Sequence, residues 1–172
     1  MKCGKEKCPL LLIDLIPLTQ GKYAIVDKED YPRLSQWSWQ HLKRKYTSYA
    51  ACRKHRDEKE MHMMMHRYIL NIEKKRGLFV DHINHNGLDN RKQNIRICSG
   101  SQNSMNLISR RGTSKYKGVS RQRALNKWQA SIRINRKSVH LGMFLNEKNA
   151  AIAYNKAAKK HFGEYAYLNV ME

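Results

Sequence analysis

Residues 80–103, VDHINHNGLDNRKQNIRICSGSQN, bring together side-chain types that the hydrolysis of a phosphodiester requires. The imidazole of His82 can take a proton from a water molecule near neutral pH. Asp81 and an Asn amide oxygen from the following helix form a sparse oxygen ligand set, of the kind that Mg²⁺ prefers. Such a cation absorbs charge on the phosphate and the leaving oxygen. Asn and His are also common in plain polar turns, so the residues alone leave a catalytic and a structural interpretation open.

The strand that carries Asp81 and His82 limits how the two residues can cooperate. Adjacent residues of a β-strand point to opposite faces, so both side chains reach one site only if the strand bends or ends there. Asn94 opens the next strand, where it is placed to tie the long loop to backbone groups rather than to touch a substrate.

The elements around these residues are predicted to be a strand, a long turn, a second strand and a helix. LFVDHIN is the first strand, HNGLDNRKQ a turn rich in Asn, Asp and Gly, NIRIC the returning strand and GSQNSMNLIS the helix. Residues 109–115, SRRGTSK, have no apolar periodicity and are the natural linker. We therefore assign residues 66–108 to one domain that carries the candidate chemistry.

The region before it, residues 1–65, is predicted to be small, basic and β-rich. Short β-type runs alternate with charged connectors: KYAIVD (22–27), WSWQHL (37–42), SYAACRK (48–54) and EMHMMMHRYIL (60–70). Asp30 is placed as an N-cap with Pro32 just inside, which predicts one short helical turn. The Met and aromatic residues here are interpreted as core.

The last region, residues 116–172, is predicted to be a three-stranded antiparallel sheet packed on one helix. YKGVSRQ, KWQASIRI and KSVHLGMF are the strands, and the helix runs from Glu147 to about Phe162, capped by Asn146 and stopped by Gly163. One face of the middle strand is apolar and consists of Trp128, Ala130, Ile132 and Ile134. The opposite face is polar and basic and consists of Lys127, Gln129, Ser131 and Arg133. The whole chain is therefore predicted to belong to the α+β class.

The charge of the chain points to a polyanionic partner. Lys and Arg number 34 against 14 acidic residues, a net charge of +20, and residues 110–172 alone contribute +11. Such a field attracts nucleic acid, with DNA as the leading candidate and RNA not excluded by charge alone. An acidic membrane surface is the competitor, yet no apolar run approaches spanning length, and PLLLIDLIPL is interrupted by Asp14 and Pro17. We therefore expect an intracellular protein with no membrane association.

Four cysteines raise the question of zinc. Cys3 and Cys8 could join Cys52 and His55 in a zinc site, but the spacing is unremarkable and the two halves are far apart in sequence. Without a secretory signal, free or packed thiols, Cys98 included, are the favoured interpretation. No structural zinc is expected.

The motif VDHIN…LDNRKQNIRIC…SQN resembles the HNH (ββα-metal) nucleases, in the subgroup of phage- and intron-encoded homing endonucleases, and MHRYIL resembles the elements that precede the motif there. The resemblance implies that His82 is the general base, that Asp81 and Asn103 hold one divalent metal, Mg²⁺ or alternatively Mn²⁺, and that Asn94 braces the loop. It also gives Arg67 a part in orienting the substrate phosphate. His66 fits either that role or a structural one. His85 lies in the loop and is interpreted as a histidine without a catalytic role.

The C-terminal sequence YKGVS…KWQASIRI…HLGMF…AAIAYNKAAKKHFGEYAYLN resembles the plant ethylene-response-factor (Apetala-type) DNA-binding domain, which reads DNA with the exposed face of its sheet. The positions that match its base contacts are Ser120, Ser131, Arg133 and His140, of which only Arg133 agrees with the plant pattern. The plant target sequence therefore does not carry over. The remaining expected phosphate or groove contacts are Arg121, Arg123, Lys127, Gln129, Arg136 and Lys137.

Together these observations predict a metal-dependent homing endonuclease that cuts double-stranded DNA at a long target. It needs no small-molecule substrate, and a monomer is the favoured state. The alternative is a non-catalytic DNA-binding transcriptional regulator in which the ββα unit has become structural.

Overall fold

The computed structural model describes residues 13–56, 59–108 and 112–171. The chain divides into two compact units, the first ending at Gly100 and the second beginning at Ser101. Cys3, Cys8 and the first residues of the expected linker, 109–111, lie outside the described residues. In the part that is described, no helix is long and apolar enough to cross a membrane.

The first unit opens with an antiparallel hairpin of β1 (Ile13–Leu18) and β2 (Lys22–Asp27). The alternation that predicted β2 is confirmed, whereas β1 was not predicted because Pro17 interrupts its apolar run. Pro17 is tolerated because β1 belongs to a sheet of only two strands, where an edge position needs no N–H donor from every residue.

A second sheet follows, in the order β3-β4-β5, after the short helix α1 (Tyr31–Leu34). Its strands are β3 (Gln40–Lys43), β4 (Ser48–Arg56) and β5 (Lys59–Met64). The helical turn was predicted at α1, but the side chain of Asp30 pairs with Arg33 (2.9 Å) instead of capping it. The β-type run 60–70 also divides, because helix α2 (Met65–Ile69) replaces the strand after Met64.

The motif region forms the predicted ββα sequence of elements. β6 (Phe79–His82) and β7 (Ile95–Cys98) pair in antiparallel register, with Asp81 opposite Arg96, and α3 (Gly100–Asn106) follows. A single apolar core joins the hairpin, the second sheet, α2 and β7, and it includes Ile16, Val26, Leu34, Trp39, Met65 and Ile95. The expected domain boundary at 65/66 thus falls inside the core of the first unit.

The second unit contains the predicted three-stranded sheet, in the order β10-β9-β8, and one long helix. Its elements are β8 (Val119–Gln122), β9 (Lys127–Ile134), β10 (Lys137–Phe144) and α4 (Glu147–Phe162). Asn146 caps α4 as predicted, its side-chain oxygen accepting from the Lys148 amide at 2.7 Å. Ala130 and Ile132 are buried on the inner face of β9. Both units combine small antiparallel sheets with few helices, which confirms the α+β class.

Gly118 shows how closely α4 packs on this sheet. Its φ is +75°, and a Cβ built there would lie 2.0 Å from the ring of Tyr154 on α4 and 2.6 Å from the Ser131 carbonyl oxygen. Only glycine fits this backbone conformation and this gap.

Candidate active site

The strand β6 ends at His82, directly after Asp81. The chain turns immediately after it, with the His85 amide donating to the His82 carbonyl at 2.9 Å. Asp81 and His82 are both buried, with 5% and 7% of their surfaces exposed. The end of the strand therefore carries a buried carboxylate and a buried imidazole at adjacent positions.

His82 lies among polar and aromatic side chains. Its Nε2 is 3.4 Å from Oδ1 of Asn90, and its ring centroid is 5.1 Å from that of His66 and 5.8 Å from that of Tyr49. Burial lowers the pKa of His82, and the Asn90 hydrogen bond and the Asp81 charge oppose that shift only in part. His82 is therefore neutral near pH 7, the state in which an imidazole can accept a proton.

Asp81 pairs with Arg96 directly across the β6–β7 ribbon. The guanidinium donates to Oδ2 of Asp81 from Nη2 at 2.7 Å and from Nε at 3.0 Å. Only 14% of the Arg96 side chain and 6% of the Asp81 side chain are exposed. This buried pair fixes the orientation of the carboxylate beside His82.

Asn94 holds the two ends of the long loop together. Its amide nitrogen donates to the Asp89 carbonyl oxygen at 2.8 Å, and its amide oxygen accepts from the Asn84 backbone at 3.0 Å. Asp89 in turn accepts from Arg91 and from the side chain of Asn84. These contacts act on the loop and not on a substrate.

The first hairpin contributes to the site in a way that the sequence did not indicate. The Ile25 amide donates to the Leu88 carbonyl and the Asn90 amide donates to the Ile25 carbonyl, both at 2.8 Å. A side-chain oxygen of Asp27 accepts from the Lys92 amide at 2.7 Å. The loop is thus bonded to β2, and a periodicity analysis has no signal for such a long-range backbone pairing.

The turn between β3 and β4 supports the other side of the same loop. Oγ1 of Thr47 accepts from the Gly87 amide at 3.1 Å and donates to the His85 carbonyl oxygen at 3.3 Å. A Cβ at Gly87 would lie 2.4 Å from the Ser48 carbonyl oxygen, so glycine is required for this approach. The turn also carries three consecutive exposed cations, Lys43, Arg44 and Lys45.

His66 and Arg67, on α2, have different surroundings. Burial, together with the charges of His82 and Arg67, lowers the pKa of His66 to about 3, so His66 is a neutral packing partner of His82. The guanidinium of Arg67 donates to the carbonyl oxygens of Ile72, Lys75 and Leu78 at 2.6–2.8 Å. Arg67 therefore braces the segment after α2, and the phosphate contact expected for it stays a prediction. His85 lies in the turn with φ +64°.

The two expected metal ligands belong to different units of the chain. Asp81 supplies a carboxylate, and the amide oxygen expected as its co-ligand belongs to Asn103 on α3, in the second unit. Both are oxygen donors, as Mg²⁺ and Mn²⁺ prefer. Among the described residues no group of three His, Cys, Asp or Glu side chains could hold a metal, and Cys52 and Cys98 are buried cysteines that form no disulfide. The expectation that the protein holds no structural zinc stays a prediction.

On the polar face of the second unit's sheet, several of the residues predicted to contact DNA are exposed. Arg133 and Lys127 are exposed, Ser131 is paired in register with exposed His140, and Gln129 accepts a side-chain hydrogen bond from Gln122 at 2.7 Å. Nε of Arg133 donates to the Arg136 carbonyl oxygen at 3.3 Å, at the β9–β10 turn that also bears Lys137.

Arg121 and Arg123 are placed differently. The Arg121 guanidinium lies 5.0 Å from the centroid of the Trp128 ring and contacts Asn126, so it lies with the apolar face of the sheet rather than with Arg133. The groove contact expected for Arg121 stays a prediction. Arg123 is exposed in the 3-10 turn between β8 and β9, and Ser120 pairs in register with Gln129 on the polar face.

The chain thus contains an antiparallel ribbon, β6–β7, with a carboxylate and an imidazole at the end of its first strand, and helix α3 follows it in sequence. An uncharacterised HNH endonuclease of Acanthamoeba polyphaga mimivirus is 33% identical to this chain over 158 residues, which cover 89% of the chain and 78% of the viral protein. The chain belongs to the HNH endonuclease family.

A second likeness covers a third of the chain. Dehydration-responsive element-binding protein 2D of Arabidopsis thaliana and protein 2E of Oryza sativa subsp. japonica are 46% and 43% identical over 59 and 58 residues. Each match covers 33% of this chain, and it covers 28% and 18% of the plant proteins, respectively. No family model and no solved structure matches the chain.

Proposed function

We propose that this protein is a metal-dependent endonuclease that hydrolyses phosphodiester bonds of double-stranded DNA, with His82 as the general base. The observation that carries the proposal is the buried, neutral imidazole of His82 at the end of β6, with Asp81 buried at the preceding position. Membership of the HNH endonuclease family supports the reaction class.

In this proposal each residue of the site has one task. His82 takes the proton from the attacking water, and the buried surroundings keep its imidazole neutral for that purpose. Asp81 and Asn103 would hold a divalent cation, Mg²⁺ or Mn²⁺, which when bound neutralises charge on the phosphate. Arg96 orients Asp81, and Asn94 keeps the loop closed.

DNA binding is assigned to two surfaces. The polar face of the second unit's sheet carries Lys127, Arg133 and His140 in exposed positions, and the names of the two plant relatives describe element-binding proteins. In the first unit the cations at the β3–β4 turn, Lys43, Arg44 and Lys45, lie near the catalytic loop, by which we mean residues 83–94 between β6 and β7. In that position they suit backbone phosphates near the cut. We propose that together these surfaces read a long target, as in a homing endonuclease.

The test compares cleavage by wild-type protein and by His82→Ala on supercoiled DNA that carries candidate sites, with and without Mg²⁺. We expect His82→Ala to bind DNA normally and to cleave roughly 10²–10⁴-fold more slowly, because a general base is lost. His41→Ala, a histidine of the same unit that bonds Gln20 instead, is the matched control and should cleave normally. Wild-type rates for His82→Ala would overturn the assignment.

The metal ligands are tested by titrating Mg²⁺ against cleavage by Asp81→Ala and Asn103→Ala. Both variants should lose activity and require more Mg²⁺, because each loses one oxygen donor. An unchanged metal dependence would show that other residues hold the ion. Specific DNA binding without cleavage under any metal would instead support the alternative, a non-catalytic DNA-binding regulator.

A further inference from the structure

Asn90 is an amide at the centre of the catalytic loop that neither the motif nor the metal chemistry uses. None of its surface is exposed, and it is among the largest fully buried side chains of the described residues. An uncharged polar side chain in such a place must satisfy its hydrogen-bonding groups inside the protein. Its partners therefore show what it does.

The donors of Asn90 fix which way its amide points. Nδ2 lies 3.3 Å from the Leu88 carbonyl oxygen and 3.5 Å from the sulfur of Met65. Both neighbours are acceptors, so exchanging nitrogen and oxygen would set the amide oxygen against a carbonyl oxygen. Oδ1 is consequently the atom that faces Nε2 of His82, at 3.4 Å.

The backbone of Asn90 leaves little room for adjustment. Its amide donates to the Ile25 carbonyl, and Leu88, two residues earlier, accepts from the Ile25 amide. The imidazole of His82 is confined as well, since the His66 ring stands edge-on to it and Tyr49 flanks it. The pairing of Oδ1 with Nε2 is thus set by both partners' surroundings.

We propose that Asn90 is a positioning residue of the reaction, whose amide oxygen accepts the Nε2 hydrogen of His82 and so places the basic lone pair on Nδ1. An amide oxygen can only accept, and a neutral imidazole carries one hydrogen, so a donor at Nε2 leaves the acceptor at Nδ1. The general base then has one defined atom for the water proton. The catalytic consequence rests on the proposed role of His82, but the tautomer does not.

The tautomer is measured on the full-length protein labelled with ¹⁵N-histidine, without metal, at about pH 8, where an unperturbed histidine is neutral. Long-range ¹H–¹⁵N correlation spectra distinguish a hydrogen on Nε2 from one on Nδ1. The chain has eight histidines, and loss of signals in His82→Gln identifies the relevant ring. We expect the Nε2-protonated form in the wild type, and the Nδ1-protonated form would overturn the proposal.

Three variants separate positioning from loop stability. Asn90→Leu removes the acceptor, and it should give a mixture of tautomers and a single-turnover rate about tenfold slower at unchanged KM. Asn90→Asp keeps an oxygen toward Nε2 and should keep the hydrogen there. Asn84→Ala is the control, because it removes hydrogen bonds to Asp89 and Asn94 of the same loop without touching His82.

The outcomes are decisive even if one variant folds poorly. A folded Asn90→Leu with the wild-type tautomer and rate would overturn the proposal, as would a tautomer change in Asn84→Ala equal to that in Asn90→Leu. If Asn90→Leu does not fold, loss of the Nε2 hydrogen in Asn90→Asp would overturn it. Failure of the wild type to cleave DNA would overturn the proposed function and would leave the spectroscopic result intact.

Discussion

Replacing Arg96 by Met should destabilise the first unit by about 3–5 kcal/mol, the usual cost of removing one partner of a buried ion pair. The reason lies in the geometry: Asp81 stands opposite Arg96 in the ribbon, and both side chains are almost fully shielded. Met keeps most of the apolar volume, so the loss comes chiefly from an uncompensated carboxylate. Replacing both residues, with Asp81→Asn in addition, should recover part of that loss because no buried charge then remains.

The assay is urea unfolding followed by tryptophan fluorescence. Trp128 lies in the second unit, so a Trp128→Phe background leaves Trp37 and Trp39 as reporters of the first. Added Mg²⁺ should restore stability to Arg96→Met if Asp81 binds the ion, by about 2.7 kcal/mol at a concentration of 100 Kd. The double variant should not respond to Mg²⁺ in this way. A loss under about 1 kcal/mol for Arg96→Met would refute the reasoning, since it is the value of an exposed pair.

Three further outcomes are expected. Gly118→Ala should lower the free energy of unfolding of the second unit by more than about 2 kcal/mol in urea unfolding, because the new Cβ would clash with the Tyr154 ring at a positive φ. A loss below about 0.5 kcal/mol would contradict this. The free energy of unfolding should fall by up to about 1.4 kcal/mol per pH unit as the pH drops from about 6.5 towards 3. The reason is that His66 has a pKa of about 3 in the folded protein and regains its ordinary pKa on unfolding, so the unfolded chain takes up a proton. His66→Phe should make the urea midpoint less dependent on pH across that range. If Arg133 reads a base, Arg133→Ala should lose about 1–3 kcal/mol of binding free energy on a cognate duplex and little on random DNA. Lys137→Ala should weaken binding to both duplexes alike and lower the salt dependence of binding by about one unit of slope. Equal losses on both duplexes for Arg133→Ala would show that the sheet binds DNA only electrostatically.

The sequence predicted best the elements whose signals are local. The helix α4 has its cap and its stop within its own sequence, at Asn146 and Gly163, and alternation alone assigned the buried face of β9. The break between β5 and α2 was missed because Met and aromatic residues are compatible with either state and neither Gly nor Pro marks Met64. Local pattern is sufficient where the stabilising contacts are also local.

Local sequence pattern predicted only part of the candidate site. The spacing of Asp81, His82 and Asn94 predicted a candidate catalytic loop. Hydrogen bonds to carbonyl oxygens carry no sequence signal, so the bracing contacts of Arg67 were not predicted. The stacking of Arg121 on Trp128 was not predicted either, because the sequence does not say on which face of the sheet the Arg121 guanidinium lies. Side-chain tasks set by backbone atoms must be read from the structure.

The bonds between β2 and the catalytic loop also bear on the synthesis of the protein. The Lys92 amide reaches a side chain 65 residues earlier in the chain, and Asn90 reaches Ile25. Closing so long a loop is entropically costly and slow compared with forming a hairpin, and it requires both partners to have left the ribosome. On a growing chain the hairpin therefore emerges well before its loop partner, and the loop can close against β2 only after Lys92 has been translated. The order of translation thus delays the formation of the surroundings of His82 until the loop that carries Asn90 has emerged from the ribosome.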